Sequence, residues 1–417
     1  MSPVAHETGN RLAVPDIAAA GPDAGVCRLD RFALLLLCAA LGACTAISAP
    51  QAEREALAPI PYFHDEWFAA PSQPIRARDV FALDDTMEHY LRFDMSHEVH
   101  NQGPLYGMLD ALYRRDRLML SYDAGRTRNA AEAFDARKGN CLSLVIMTAA
   151  FAKALGLQVT YEAVTIDETW SRSDDLLFLN THVNLTLGRR MRDTTTLFDS
   201  DRRLTIDFLP SEDLAGQRSE SIPEEMIVAM YMNNRAAEAL AQRHFDDAYW
   251  WARAAIVQAP DFPAPYNTLG VVYLRHGNLE AAQAVLRDLL DRKPRDKLAM
   301  SNLVIVLDKL GRADQAQALR ERLAKKEPYP PYHFFWLGTE AMQKGDFRTA
   351  KSLFRKEVDR ADYCSEFHFW LGLADLKLGD LEGARQQIAI AMENSTTASD
   401  HDVYAAKLER LRSHEAH

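Results

Sequence analysis

Cys141 opens the stretch CLSLVIMTAAFAKAL, directly after Arg137-Lys138-Gly139-Asn140. The glycine and polar residues read as a turn, and the apolar run after them reads as a buried helix that Gly156 stops. The thiol therefore sits on the first helical turn. There the helix dipole and unpaired N–H groups favour the thiolate, the reactive form of cysteine, and Arg137 and Lys138 add positive charge nearby. A cysteine nucleophile needs a histidine within hydrogen-bond reach as its base, and a third group to orient that histidine. His182 in THVNLTL supplies the base, and Asp207 in RRLTIDFLP the orienting carboxylate, in the chain order Cys, His, Asp. Asp199 and Asp201 lie between them as alternative orienters. Asn140 and the backbone N–H of Cys141 are candidates to stabilise an oxyanion. Against this stands a plainer reading, with Cys141 a small core residue, His182 a satisfied strand histidine and Asp207 a turn-side acid.

The elements that must bring these groups together are legible. LQVTYEAVTI, THVNLTL and RRLTIDFLP each have strand character, and Asp207 falls inside the third, ahead of Pro210. Upstream, DVFALDDTMEHYLRF and PLYGMLDALYRRDRLML space their apolar residues as helices do. The pattern Arg137-x-Gly139-x-Cys141, then an apolar helix and ALGLQV, then His182 and Asp207 on strands, resembles the transglutaminase-like superfamily. The resemblance covers about residues 130–210. It implies a papain-like α+β domain in which the helix carrying the cysteine packs on an antiparallel sheet. It also implies acyl transfer: Cys141 attacks a carbonyl, His182 is the base and Asp207 orients it. The aromatic residue that often follows the histidine is replaced here by Val183-Asn184.

The second half repeats. Ala248, Ala282, Ala316, Ala350 and Ala384 stand 34 residues apart, and Gly277, Gly311, Gly345 and Gly379 keep the same step, as do Pro260, Pro294 and Pro328. Leu269-Gly270, Leu337-Gly338 and Leu371-Gly372 hold a further phase, with Ala236 and Val304 where the first and third units lack that glycine. This resembles the tetratricopeptide repeat, a helix–turn–helix unit. Alanine permits close helix crossing, glycine allows the turn, and proline ends the second helix. Five units fit residues 230–396, and a polar helix over 399–413 would cap the stack. The resemblance implies a concave surface for a protein or peptide partner, with Tyr332, Phe335 and Phe369 either lining it or packing between units.

The rest of the chain bounds the function. A net charge of −11, with no clustering of Lys and Arg, argues against nucleic acid. Near the start, Arg28 and Arg31 precede a short apolar run, Phe32 to Ala40, that reads as a signal-peptide core. Leu41-Gly42-Ala43-Cys44 resembles the lipobox of bacterial lipoproteins, which implies cleavage before Cys44 and a lipid anchor on its thiol. The competing reading is a plain secretory signal. If the anchor holds, the protein sits on the periplasmic side of a bacterial envelope. Cys27 and Cys38 would leave with the signal, so Cys141 and Cys364 remain, as free thiols or as one bridge. SHEVH at 96–100 fails the zinc-protease spacing, and no phosphate-cradling or dinucleotide motif occurs, so no metal or cofactor is implied. The expected organisation is a lipoprotein signal at 1–43, a linker at 44–74, an α+β transglutaminase-like domain at 75–229 and an all-α repeat solenoid at 230–417. The function expected is an anchored cysteine acyl transferase or peptidase. The alternative is a lipoprotein scaffold in which both domains only bind.

Overall fold

Apolar residues that alternate between helical and strand periods sort the first half into a buried helix and a sheet. A computed structural model describes residues 4–7, 61–113, 120–173, 176–188, 203–208, 218–325, 329, 331–395 and 397–413. The apolar run at 32–40, Cys44, Asp199, Asp201 and Pro328 lie outside the described residues. Strand β1 (Val4–Glu7) comes first, followed by helix α1 (Asp85–His89), which begins where the Asp84 side chain accepts the Met87 N–H. Helix α2 (Ser96–Tyr113) bends at Gly103 and Pro104. Strand β2 (Ser121–Tyr122) precedes helix α3 (Ala130–Ala136), whose start is closed by the reciprocal pair Asn129 and Glu132. Strand β3 (Lys138–Gly139) pairs parallel with β2, Tyr122 opposite Gly139. The stretch expected as a simple turn before Cys141 is thus pinned by a strand pair.

Helix α4 (Cys141–Ala154) starts at Asn140, whose side chain accepts the Ser143 N–H, and stops before Gly156, which takes a φ of +69°. Every residue from Leu142 to Ala152 is buried, so α4 is a central helix covered on all sides. It packs on β5 and β4 of an antiparallel sheet built from β4 (Gln158–Ser173), β5 (Leu176–Gly188), β6 (Leu204–Asp207) and β7 (Arg218–Ile222). The strand order is β1-β6-β5-β4-β7.

The repeats form five helix pairs: α5 (Glu224–Ala241) with α6 (Phe245–Gln258), α7 (Ala264–His276) with α8 (Leu279–Arg292), α9 (Lys297–Lys309) with α10 (Ala313–Ala324), α11 (His333–Gln343) with α12 (Phe347–Val358), and α13 (Ser365–Lys377) with α14 (Leu381–Glu393). Helix α15 (Ala398–Ser413) covers the last pair with Tyr404, Leu408 and Leu411. The five alanines of the repeat are all fully buried. Gly277, Gly311, Gly345 and Gly379 all have left-handed φ, and Arg243, one step earlier, adopts the same conformation at +61° without being glycine.

The two missing glycines have a packing reason. A Cβ on Gly270, Gly338 or Gly372 would come within 2.7, 2.6 or 2.8 Å of Leu286, Phe354 or Ile388 on the partner helix. Ala236 faces its pair at the position held by Ala252, small enough to leave room, and in the third pair the matching residue is Arg320, which is exposed.

Part of the expected linker is docked. Phe68 stacks on Tyr249 with ring centroids 4.0 Å apart, the Ala69 N–H donates to Asp246, and the Ser72 N–H and hydroxyl donate to Asp247. Trp250 Nε1 donates to the Ala69 carbonyl. The described residues from His64 onward, with β1, form one compact unit. Among the described residues, no helix is long and apolar enough to cross a membrane.

Candidate active site

Cys141 is partly exposed, and its thiol and that of Cys364 are both free, so the bridge between them is not formed. The helix that presents Cys141 is anchored by its cap. Asn140 Oδ1 accepts from the Ser143 N–H at 2.9 Å and from the Ser143 hydroxyl at 2.8 Å, while Asn140 Nδ2 donates to Thr127 Oγ1 at 2.9 Å. Asn140 is therefore engaged mainly as a cap rather than standing ready as an oxyanion donor. The positive charge expected beside the thiol is partly neutralised: Lys138 Nζ lies 3.3 Å and Arg128 Nη2 3.1 Å from the Asp123 carboxylate, whose protonation both disfavour.

His182 and Asp207 meet in the sheet. The Nε2–H of His182 donates to Asp207 Oδ1 at 2.7 Å, and both residues are buried. The strand register explains the meeting. Leu185 pairs with Ile206, so one further antiparallel step sets Asn184 opposite Asp207, with His182 two residues along the same face of β5. Asn184 Nδ2 donates to the second carboxylate oxygen at 3.2 Å. Burial by itself works to lower the His182 pKa. The hydrogen bond to Asp207, then the contact and charge of Cys141, override it and push it up to about 9. Nε2 being taken, Nδ1 is the nitrogen left for the thiol. It is buried and makes no well-aligned hydrogen bond, yet the Cys141 sulfur is close enough to raise its proton affinity, so thiol and imidazole are close neighbours that need a small realignment to pair.

Two neighbours escaped sequence reasoning. Tyr122 is brought to the nucleophile by the β2–β3 pair. Burial first, then the charge of Cys141, raise the pKa of its hydroxyl, which also receives the Cys141 backbone N–H. Nothing in its local sequence marks it. Asn184 had a signal: it stands two residues after His182 and so on the same face of a strand.

The aromatic residues of the repeats are placed differently from the groove reading. Tyr332 and Phe335 are 2% and 1% exposed and pack with Phe354, Phe367 and Leu371. Phe369 is half-buried against Tyr404, centroids 4.8 Å apart. Tyr332 and Phe335 pack within their own pair and against the next one, and Phe369 against the capping helix α15, so their apolar area is removed from water; the apolar side chains that α11 exposes are Trp336 and Leu337. Cys364, hydrogen-bonded to the Tyr332 hydroxyl, has its thiol pKa raised by burial. His97 lies 3.0 Å from Asn101 in α2, and among the described residues no three His, Cys, Asp or Glu side chains gather to hold a metal.

Comparison with known proteins concerns the repeats. Tetratricopeptide-repeat family profiles match residues 273–333 and 337–398. Among solved structures, the chain is similar to MamA (41-end) from Desulfovibrio magneticus RS-1, at 19% identity over 40% of this chain and 94% of that one, with a TM-score of 0.24. It is also similar to TTC0263, a thermophilic TPR protein of Thermus thermophilus, at 19% identity over 43% of this chain and 98% of that one, TM-score 0.28. A third is YrrB, described as a TPR protein with an unusual peptide-binding site, at 17% identity over 43% and 92%, TM-score 0.24. The chain contains tetratricopeptide repeats.

Proposed function

We propose that the chain is an envelope-anchored cysteine enzyme of the transglutaminase-like class, its first domain papain-like, with Cys141 as nucleophile, His182 as base and Asp207 as the group that orients the base. The observation that carries the reading is the buried His182–Asp207 hydrogen bond, set in the sheet beside a partly exposed thiol on the first turn of a helix. In this reading His182 Nδ1 takes the thiol proton and the sulfur attacks an amide carbonyl carbon. The oxyanion forms near the Cys141 N–H, where the Tyr122 hydroxyl now stands and must be shared or displaced. The C–N bond then breaks, the leaving amine takes the proton from the imidazolium, and a thioester remains on Cys141. Water resolves it to an acid, or an amine to a new amide.

The repeats bind a protein or peptide partner and hold it near the thiol, raising its local concentration. Trp336 and Leu337 are apolar contacts open to such a partner. Cleavage before Cys44, with lipid on its sulfur, places the protein on the periplasmic side of a bacterial envelope; it would also remove β1 and leave β6, the strand of Asp207, at the sheet edge.

The test is the rate at which iodoacetamide labels Cys141 at neutral pH, followed on its own peptide by mass spectrometry. Labelling well above that of a free model thiol, lost in His182→Ala, is expected. A rate no faster than the model thiol, unchanged in the variant, removes the nucleophile.

A further inference from the structure

The residue immediately before the thiol is held by the repeats. Asn140 donates to Thr127 Oγ1, and Thr127, 1% exposed in the loop between β2 and α3, makes three further hydrogen bonds to one helix, α5. Asn234 Nδ2 donates to the same hydroxyl oxygen at 3.2 Å, Arg235 Nη1 donates to the Thr127 carbonyl at 3.2 Å, and the Thr127 N–H donates to Glu238 Oε1 at 2.6 Å. Residues 234, 235 and 238 share one side of a helix, so α5 grips the loop through a single surface. Burial raises the Glu238 pKa, against the hydrogen bond from Thr127 and the charges of Arg235 and Arg126.

The grip continues into the nucleophile helix. Asn140 caps α4 through Ser143, and the Ser143 hydroxyl accepts the Arg128 N–H at 2.8 Å, so the loop and the cap are tied twice. At the opposite end of α4, Lys153 pairs with Glu224 in the first turn of α5, and the Tyr161 hydroxyl donates to the same carboxylate at 3.0 Å. Helix α5 therefore reaches both ends of α4, the first turn through Thr127 and the last turn directly through Glu224. It also belongs to the first repeat pair and holds the second through Asn233, which accepts from the Thr268 hydroxyl at 2.8 Å.

We infer that Thr127 is a positioning residue through which α5, the first repeat helix, sets the alignment of the Cys141 thiol toward His182, so that the repeats are part of the active site and not only a tether. The inference rests on Cys141 being the nucleophile proposed above. A buried threonine hydroxyl accepting from two half-buried amides has no apolar substitute, because removing the oxygen takes the shared acceptor from both donors at the cap. A cap that shifts by a fraction of a residue moves the thiol away from Nδ1, to which it is near but not well aligned.

The experiment uses the full chain with Thr127→Val, Thr127→Ser and Asn234→Ala, each checked for its melting temperature and helical content. Iodoacetamide labelling of the Cys141 peptide is followed from pH 5 to 10. Thr127→Val should slow labelling at neutral pH about tenfold and flatten the part of the pH profile that depends on His182, and Asn234→Ala should do the same about threefold. Thr127→Ser, which keeps the hydroxyl, should restore both. If Thr127→Val does not fold, Asn234→Ala decides alone. Folded variants with wild-type rate and profile overturn the positioning role, even where their melting temperatures fall. A wild-type thiol that labels no faster than a free one overturns it too, and shows that the nucleophile itself was at fault.

Discussion

His182 and Asp207 lie 25 positions apart in the chain, yet their side chains are joined at 2.7 Å inside the sheet, with Asn184 on the other oxygen of the same carboxylate. The antiparallel register of β5 and β6 brings the three together. The carboxylate raises the proton affinity of the imidazole against the opposing effect of burial, and that shift ties the geometry to stability.

The first consequence is a pH dependence. The His182 pKa stands at about 9 in the folded chain against an ordinary 6.5. A raised folded pKa means that the folded state binds the proton more tightly, so the contribution is fully present below 6.5 and is lost as pH climbs through about 9. Urea denaturation of wild type and His182→Gln at pH 6 and pH 9.5 should show the gap between them closing at the higher pH. Parallel losses in both proteins would remove the linkage.

Asn184→Ala removes one donor from the buried Asp207 carboxylate. Leaving a charged acceptor short of a partner should lower stability by about 1–3 kcal/mol. The His182 titration should also move, since the carboxylate is then held less firmly. Denaturation curves with an NMR titration of the imidazole check both, and a silent substitution in both measurements would show that Asn184 is a spectator.

The repeat glycines make opposite substitutions costly for opposite reasons. Gly338→Ala places a methyl 2.6 Å from a ring carbon of the buried Phe354, so overpacking should outweigh the helix preference for alanine and destabilise by about 1–2 kcal/mol. Ala236→Gly, at a fully buried position, should destabilise by about 1–2 kcal/mol through helix propensity together with the lost burial of a methyl. A stabilised Gly338→Ala would mean that Phe354 can give way.

The anchor proposed on Cys44 predicts that a fatty-acid analogue fed to bacteria expressing the chain labels the protein, and that Cys44→Ala abolishes the label. Label retained in the variant would place any lipid elsewhere.

The repeats were readable from spacing because each unit packs mainly on its neighbours, so one 34-residue pattern of alanine, glycine and leucine carries most of the contacts. Even the two departures, Ala236 and Val304, become intelligible from the residues at the matching place in the second helix, Ala252 and Arg320. The same locality left Tyr332 and Phe335 open between lining a groove and packing between units. A helical period shows that a residue lies on a face, but whether that face meets solvent or the next helix pair depends on stacking, and both are covered.

For the candidate site, residue types and strand periodicity were enough to nominate Cys141, His182 and Asp207 and to put each on its element. Periodicity within a strand cannot say which strand lies beside it or in what register. Only the pairing of β5 with β6 could decide that Asn184 faces Asp207, only the short β2–β3 pair that Tyr122 reaches Cys141, and only the packing of α5 that Thr127 holds Asn140. These are contacts between segments far apart along the chain, made by hydrogen bonds whose partners have no fixed spacing, and so they leave no period to read.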